Sequence, residues 1–162
     1  MRIDKYIQET EYYEIIKNTQ KRRDLLLLDL LWQTGLKVSE VRKIKPKDII
    51  YNPKEDQFYL RIDARNIPLK SQWVTIFKRF LEREGINNDE CIWNYSYSRL
   101  THVIQASAKR AGFCKRRVKE LSGSCFRNTF MIRKYNAGMD IKELSNILNI
   151  NKDYLLKQLG EC

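Results

Sequence analysis

Between Cys91 and Lys119 the chain carries no acidic residue, yet Arg99, Lys109, Arg110, Lys115, Arg116, Arg117 and Lys119 all fall there. A second basic group, Arg42, Lys43, Lys45 and Lys47, occupies one short segment. Cations at this density suit a polyanion, because each can neutralise a backbone phosphate and release a condensed counterion. A single lysine of this kind is as readily part of a solvated face. Pooled into two clusters, in a chain of formal net charge +11 and pI near 9.6, they point to phosphate contact. The other reactive side chains are sparse. His102 is the single histidine, and Cys91, Cys114, Cys125 and Cys162 are far apart with no C-x-x-C pair. No metal site and no cofactor are expected from that set. The cysteines read as free thiols, with Cys114 and Cys125 expected in or near the core.

The elements that must position these groups follow from periodicity. The 162 residues make one domain's worth of chain, enough to bury roughly 70% of the unfolded surface. No apolar run approaches a membrane span, and the polar, acid-bearing start is neither a signal nor a transit peptide. Tyr12, Ile15 and Ile16 recur at helical spacing. An apolar helix is predicted from Asp24 through Trp32, capped by Gly35, and a short one around Val38, Val41 and Ile44 with Lys37 at its entrance. Gln57 to Ile62 and Ile67 to Leu69 have strand composition and suggest a hairpin turning through Asp63, Ala64, Arg65 and Asn66, with Pro68 on an edge. Helices return over Trp73 to Glu84, Ser98 to Ala111 and Phe126 to Asn136. Asp140 and Glu143 form a capping box for Ile141 to Leu148, and a last helix spans Lys152 to Leu159. The predicted class is mainly α with a small antiparallel β-sheet (α+β).

Two segments carry a family likeness. TGLKVSEV (Thr34 to Val41) and FRNTFMIRKYNAGMDIKELSNILNI (Phe126 to Ile150), in this order of elements, resemble the catalytic domain of tyrosine recombinases, the phage integrase family. The resemblance covers roughly Glu9 to Leu159. It implies a tyrosine nucleophile, two arginines on the phosphate oxygens and groups that move protons off the nucleophile and onto the leaving 5′ oxygen. By the same resemblance the first arginine position is Lys37, which keeps charge but loses the planar two-pronged fork. The hairpin lysine has no counterpart among Asp63, Ala64, Arg65 and Asn66. The first histidine position is Ser124, the second arginine is Arg127, the second histidine is Ile150, and the nucleophile position is Leu159. Only Arg127 is kept. Tyr154 lies five residues before Leu159, displaced ~7.5 Å along a helix and turned about 140°. It is expected to pack beside Leu155.

The resemblance therefore implies a degenerate, non-catalytic homologue: a single catalytic-type domain over residues 1–162, without the family's N-terminal core-binding domain, that holds double-stranded DNA. Lys37, Arg42, Lys43, Lys45, Lys47, Arg61, Arg65, Lys109, Arg110, Lys115, Arg116, Arg117, Lys119 and Arg127 are the expected DNA-binding residues. Contact is expected mostly with phosphate and with weak sequence preference, in a nucleoid-associated, architectural or recombination-regulating role. The expected location is cytoplasmic, on the chromosome, with no membrane and no small-molecule substrate. Self-association through the C-terminal helix is a further expectation. The alternative is an active recombinase that uses Tyr154 or a tyrosine supplied in trans.

Overall fold

The computed structural model describes residues 5–160, so the expectation for Cys162 lies outside the described residues. Its elements in chain order are α1 (Glu9–Lys17), α2 (Arg22–Thr34), α3 (Val38–Val41), a 3-10 turn (Pro46–Asp48), β1 (Ile49–Asn52), β2 (Gln57–Ile62), β3 (Arg65–Leu69), α4 (Ser71–Glu84), α5 (Tyr97–Arg110), α6 (Lys115–Glu120), α7 (Gly123–Asn136), α8 (Ile141–Leu148) and α9 (Lys152–Gln158). The mainly helical class with one small antiparallel sheet is what the sequence predicts.

Helix α2 is apolar on nearly every side, and a helix of that kind belongs in the middle of a domain. Leu26, Leu27, Leu28, Leu30, Leu31 and Trp32 are all buried, and α1, α4, α7 and β3 pack around them. The Trp32 indole stacks on Tyr12 with ring centroids 3.9 Å apart, meets Phe126 edge-on, and carries the Arg133 guanidinium over its ring at 4.2 Å from the centroid. On the α4 side the Trp73 indole N–H donates to the Leu26 carbonyl at 3.0 Å, and Phe77 stacks on both Trp73 and Trp93.

The sheet has the order β1-β2-β3, antiparallel throughout. Strand β1 is absent from the predicted elements; it pairs Ile49 with Leu60 and Asn52 with Gln57. Four residues with weak alternation carry little strand signal until a neighbour supplies the ladder. The predicted four-residue turn is corrected to two, because Ile62 pairs with Arg65 and leaves only Asp63 and Ala64 between them. Both have positive φ, 46° and 61°, as a two-residue hairpin requires. Arg65 is thereby a strand residue. Pro68 does sit on β3, an edge strand of the sheet.

Two further corrections concern residues 114–120. Cys114 is exposed, whereas Cys125 is fully buried as expected. The basic run after Cys114 forms α6, a helix with no buried residue, which is why apolar periodicity does not reveal it.

Gly35 joins fold to site. It caps α2 in the left-handed region at φ 67°, and a Cβ there would stand 2.5 Å from Phe130 Cδ1 and 3.0 Å from Leu148 Cδ2. Gly85 has nearly the same φ, 64°, but nothing lies within 4 Å of its would-be Cβ. Gly35→Ala is expected to cost about 2–4 kcal/mol and Gly85→Ala about 1 kcal/mol, the difference being overpacking against α7 and α8. Urea unfolding of the two variants measures it, and equal losses would refute the close approach at Gly35.

Candidate functional site

After Gly35 the chain reverses, buries Leu36 and enters α3 at Lys37. The third residue of that helix is Glu40, whose Oε1 accepts the Lys37 backbone N–H at 3.0 Å. A carboxylate at this position satisfies a free helix-end donor and favours the positive end of the helix. Glu40 is buried, so its charge needs partners. Arg65 supplies one, a direct ion pair to Oε2, and the Arg127 guanidinium approaches Oε1 at 4.0 Å.

The two arginines are themselves tied to the end of α8. Arg65 Nη1 donates to the Ile147 carbonyl at 2.6 Å, and Arg127 Nη2 donates to the Leu148 carbonyl at 2.7 Å. Arg127 Nη1 also donates to the Gly35 carbonyl at 2.8 Å. Carbonyls at a helix C-terminus lack intrahelical partners and carry the negative end of its dipole, so cations fit there. Burial pulls the Arg127 pKa below its ordinary value, Glu40 opposes that pull, and the like charge of Arg65 adds to it. At neutral pH the group remains a cation, since a guanidinium stays charged in proteins.

Beside this cluster lies a cleft of about 400 Å³ whose walls include Lys37, Arg42, Tyr97, Ser124 and Arg127. Lys37 and Arg127 therefore share one basic concavity, as the motif order implies. Arg42 reaches across to the Asn94 side-chain oxygen at 3.2 Å. Tyr97, at the first turn of α5, lines the cleft and is not among the site residues expected from the sequence. Its hydroxyl lies 3.0 Å from Ser124 Oγ. Burial raises its pKa, but hydrogen bonds from Ser122 and Ser124 outweigh that and leave it below the ordinary phenol value. The signal available in the sequence is Ser96, a good N-cap whose Oγ accepts the Arg99 N–H at 3.1 Å and so points the first turn of α5 at the cleft.

The remaining expected positions scatter. Arg65 is corrected from a free phosphate-binding group to a largely buried partner of Glu40. Arg117 is likewise corrected: it holds Glu11 through two bonds, 2.8 and 2.9 Å, together with Glu120 at 3.2 Å and the Tyr6 carbonyl at 2.7 Å. Its donors pin α6 to α1. Arg116 pairs loosely with Glu120 and Lys47 with Asp89, both on the surface. Lys43, Arg61, Lys109, Lys115 and Lys119 are exposed and Lys45 is half-buried, while Arg110, also exposed, donates to the Asn18 carbonyl. Ile150 and Leu159 pack partly buried against the core. Tyr154 does not pack beside Leu155: Leu155 is buried, whereas Tyr154 is 54% exposed and close enough to Arg127 to act on its charge. Among the described residues no group of three or more His, Cys, Asp or Glu side chains could hold a metal ion, and no helix is long and apolar enough to cross a membrane.

Glu40 carries most of this arrangement. Glu40→Ala is expected to destabilise the fold by about 3–5 kcal/mol, because it strands two buried guanidiniums without a counter-charge. Glu40→Gln, which keeps an acceptor for the Lys37 N–H, should cost less. Chemical denaturation of both variants tests the order, and a loss of under about 1 kcal/mol for Glu40→Ala, the range of exposed pairs, would show that the cluster is not structural.

Comparison with known proteins places the fold. The profile of the phage integrase family matches residues 5–153. Among solved structures, the crystal structure of XerA recombinase superposes with a TM-score of 0.73 at 21% identity, over 94% of this chain and 57% of that one. XerH site-specific recombinase bound to difH substrate, in a pre-cleavage complex, gives 0.76 at 15% identity, over 98% and 51%. The catalytic domain of bacteriophage HP1 integrase gives 0.62 at 16% identity, over 97% and 88%. No curated protein matches in sequence. The chain thus spans about half the length of the XerA and XerH chains and nearly all of the HP1 catalytic domain. With a family match over almost its whole length, the chain belongs to the phage integrase family.

Proposed function

We propose that this protein is a double-stranded DNA-binding member of the phage integrase family that holds phosphate without cutting or joining strands. The observation that carries the reading is the cleft itself. It sets Lys37, Arg42 and Arg127 around hydroxyl donors, while Leu159, at the position implied for the nucleophile, packs against the core. Solved relatives in complex with DNA, XerH on difH substrate and the Tn1549 transposon integrase on circular intermediate DNA, support DNA as the partner.

Strand cleavage by a tyrosine requires a new O–P bond, a base for the phenolic proton and an acid for the departing 5′ oxygen. Leucine has no nucleophilic atom, and neither Ile150 nor Ser124 titrates near neutral pH. Groups of this kind act as a unit, so their joint loss removes many orders of magnitude in rate. Holding phosphate asks only for positive charge and donors on a concave surface. Contact mainly through the backbone gives weak sequence preference, which suits an architectural, nucleoid-associated or recombination-regulating role. The cytoplasm, on the chromosome, is the corresponding location, and self-association through α9 belongs to the same proposal.

Tyr154 favours a second reading, an active recombinase. Its phenol is exposed and interacts with the Arg127 charge. Here Tyr154 oxygen would bond to phosphorus as the P–O5′ bond breaks, its proton passing to the 5′ oxygen. A tyrosine supplied in trans would serve the same step.

Duplex binding should weaken steeply with salt, with log K falling against log salt by about 0.9 for each phosphate neutralised. Gel shifts on random-sequence duplex over a salt series measure the slope. The double change Lys115→Glu with Arg116→Glu should weaken all sequences alike, and loss at one sequence only would show base readout. A flat salt response would rule out phosphate-dominated binding.

Incubation with a nicked duplex that traps covalent intermediates, followed by denaturation, should yield no DNA migrating with protein. A trapped band that vanishes in Tyr154→Phe would establish the second reading. A band that survives there and vanishes in Tyr97→Phe would assign cleavage to the hydroxyl beside Ser124.

A further inference from the structure

Helix α5 borders two clefts on opposite faces. A helix advances about 100° per residue, so Arg99, His102, Ala106 and Arg110 group roughly opposite Tyr97, which lines the first cleft. On that opposite face a separate cleft of about 210 Å³ opens between α5 and the turn linking α1 to α2. Lys21, Arg99, His102 and Arg110 stand around it, with Asp24 and Ser107 also in its walls.

Two of the basic groups, Arg99 and Arg110, are held in place by contacts that leave their charge available. The Arg99 guanidinium lies over the buried Tyr95 ring, 3.9 Å from its centroid. The Tyr95 hydroxyl donates to Asp24, which occupies that carboxylate with a neutral partner. Arg110 Nε donates to the Asn18 carbonyl at 2.8 Å and Nη2 to Ser107 Oγ at 3.3 Å, leaving Nη1 uncommitted. Ser107 is in turn 3.0 Å from Thr19 Oγ1, so the α1–α2 turn is fastened to α5 by buried hydroxyls. Among the described residues the Lys21 ammonium, the Arg99 guanidinium and the His102 imidazole make no ion pair and no hydrogen bond.

Three cations converge on one small cleft that contains a single carboxylate, and two of them are guanidiniums, Arg99 held on a ring and Arg110 by hydrogen bonds. Three cations around one carboxylate leave a net positive charge in the cleft, and guanidiniums preset in orientation match the edges of a tetrahedral oxyanion. A volume of about 210 Å³ takes such an anion with several waters, each water occupying about 30 Å³. We infer that this cleft is a second phosphate site, formed by Lys21, Arg99, His102 and Arg110 and separate from the cleft at Lys37 and Arg127. Two sources share the chemistry, a backbone phosphate of a duplex and free inorganic phosphate. The inference does not rest on the DNA-binding reading, because inorganic phosphate alone tests it.

His102 is the only histidine in the chain, so its imidazole C–H resonance is a single label inside the cleft. Titration of the full chain with sodium phosphate, against sodium chloride at matched ionic strength, should shift that resonance saturably with phosphate and not with chloride. Lys21→Glu with Arg99→Glu should weaken the response by about tenfold or more. The milder Lys21→Gln with Arg99→Gln replaces that pair if charge reversal disturbs folding by circular dichroism. A short duplex that produces the shift identifies backbone phosphate as the source, whereas a shift with inorganic phosphate alone assigns the cleft to the free anion. No difference between phosphate and chloride, or an undiminished response in both variants, overturns the site. A phosphate response in a protein that shifts no duplex on a gel would instead defeat the DNA-binding reading and leave this site standing.

Discussion

The buried Glu40 carboxylate is the constraint on which the site depends. Desolvating one charge is costly, and the chain meets the cost with two guanidiniums brought from β3 and α7. Those guanidiniums in turn place further N–H groups on the carbonyls that end α8 and α2, while the buried Arg65 Nε is left without a partner. One carboxylate and its two arginines thus fix the relative positions of α2, α3, β3, α7 and α8. The walls of the cleft inherit their geometry from that cluster.

This arrangement gives Arg127 a structural reason to exist. Of the positions implied by the family resemblance it alone keeps its residue type, and two of its donors are committed to main-chain oxygens. An arginine at this place secures the α2 cap against α7 and α8 whether or not a phosphate is present. Lys37 differs. Its backbone N–H is bound to Glu40 while its side chain lines the cleft, so the local turn accepts lysine as readily as arginine. Fold and chemistry are coupled at residue 127 and separable at residue 37.

The basic surplus divides in the same way. Arg65 and Arg117 look in sequence like their exposed neighbours, yet both are spent on internal carboxylates, Glu40 and Glu11. Lys115, Arg116 and Lys119 on α6 remain on the surface. A guanidinium can make several directed bonds at once, which suits it to fastening elements together, whereas lysine is a hydrated point charge that prefers solvent. The split between structural and available cations follows that chemical difference more closely than it follows sequence position.

Local signals determined much of this protein. Periodic leucines with Gly35 behind them specify α2, Asp140 specifies the start of α8, and Thr34 to Glu40 with Phe126 to Ile150 specify the family and bring Lys37 and Arg127 to one cleft. These features are legible because caps, helical spacing and contiguous motifs involve residues within a few positions of each other. Tertiary structure alone decided the rest: that Arg65 leaves the turn for a strand, that β1 exists, that Tyr97 meets Ser124, and that Tyr154 faces solvent near Arg127. Each of those outcomes depends on another element: β2 for β1 and for Arg65, and α7 for Tyr97 and Tyr154. A side chain's local sequence records its helical or extended preference, but which buried charge or hydroxyl will be waiting for it is set only when the elements pack.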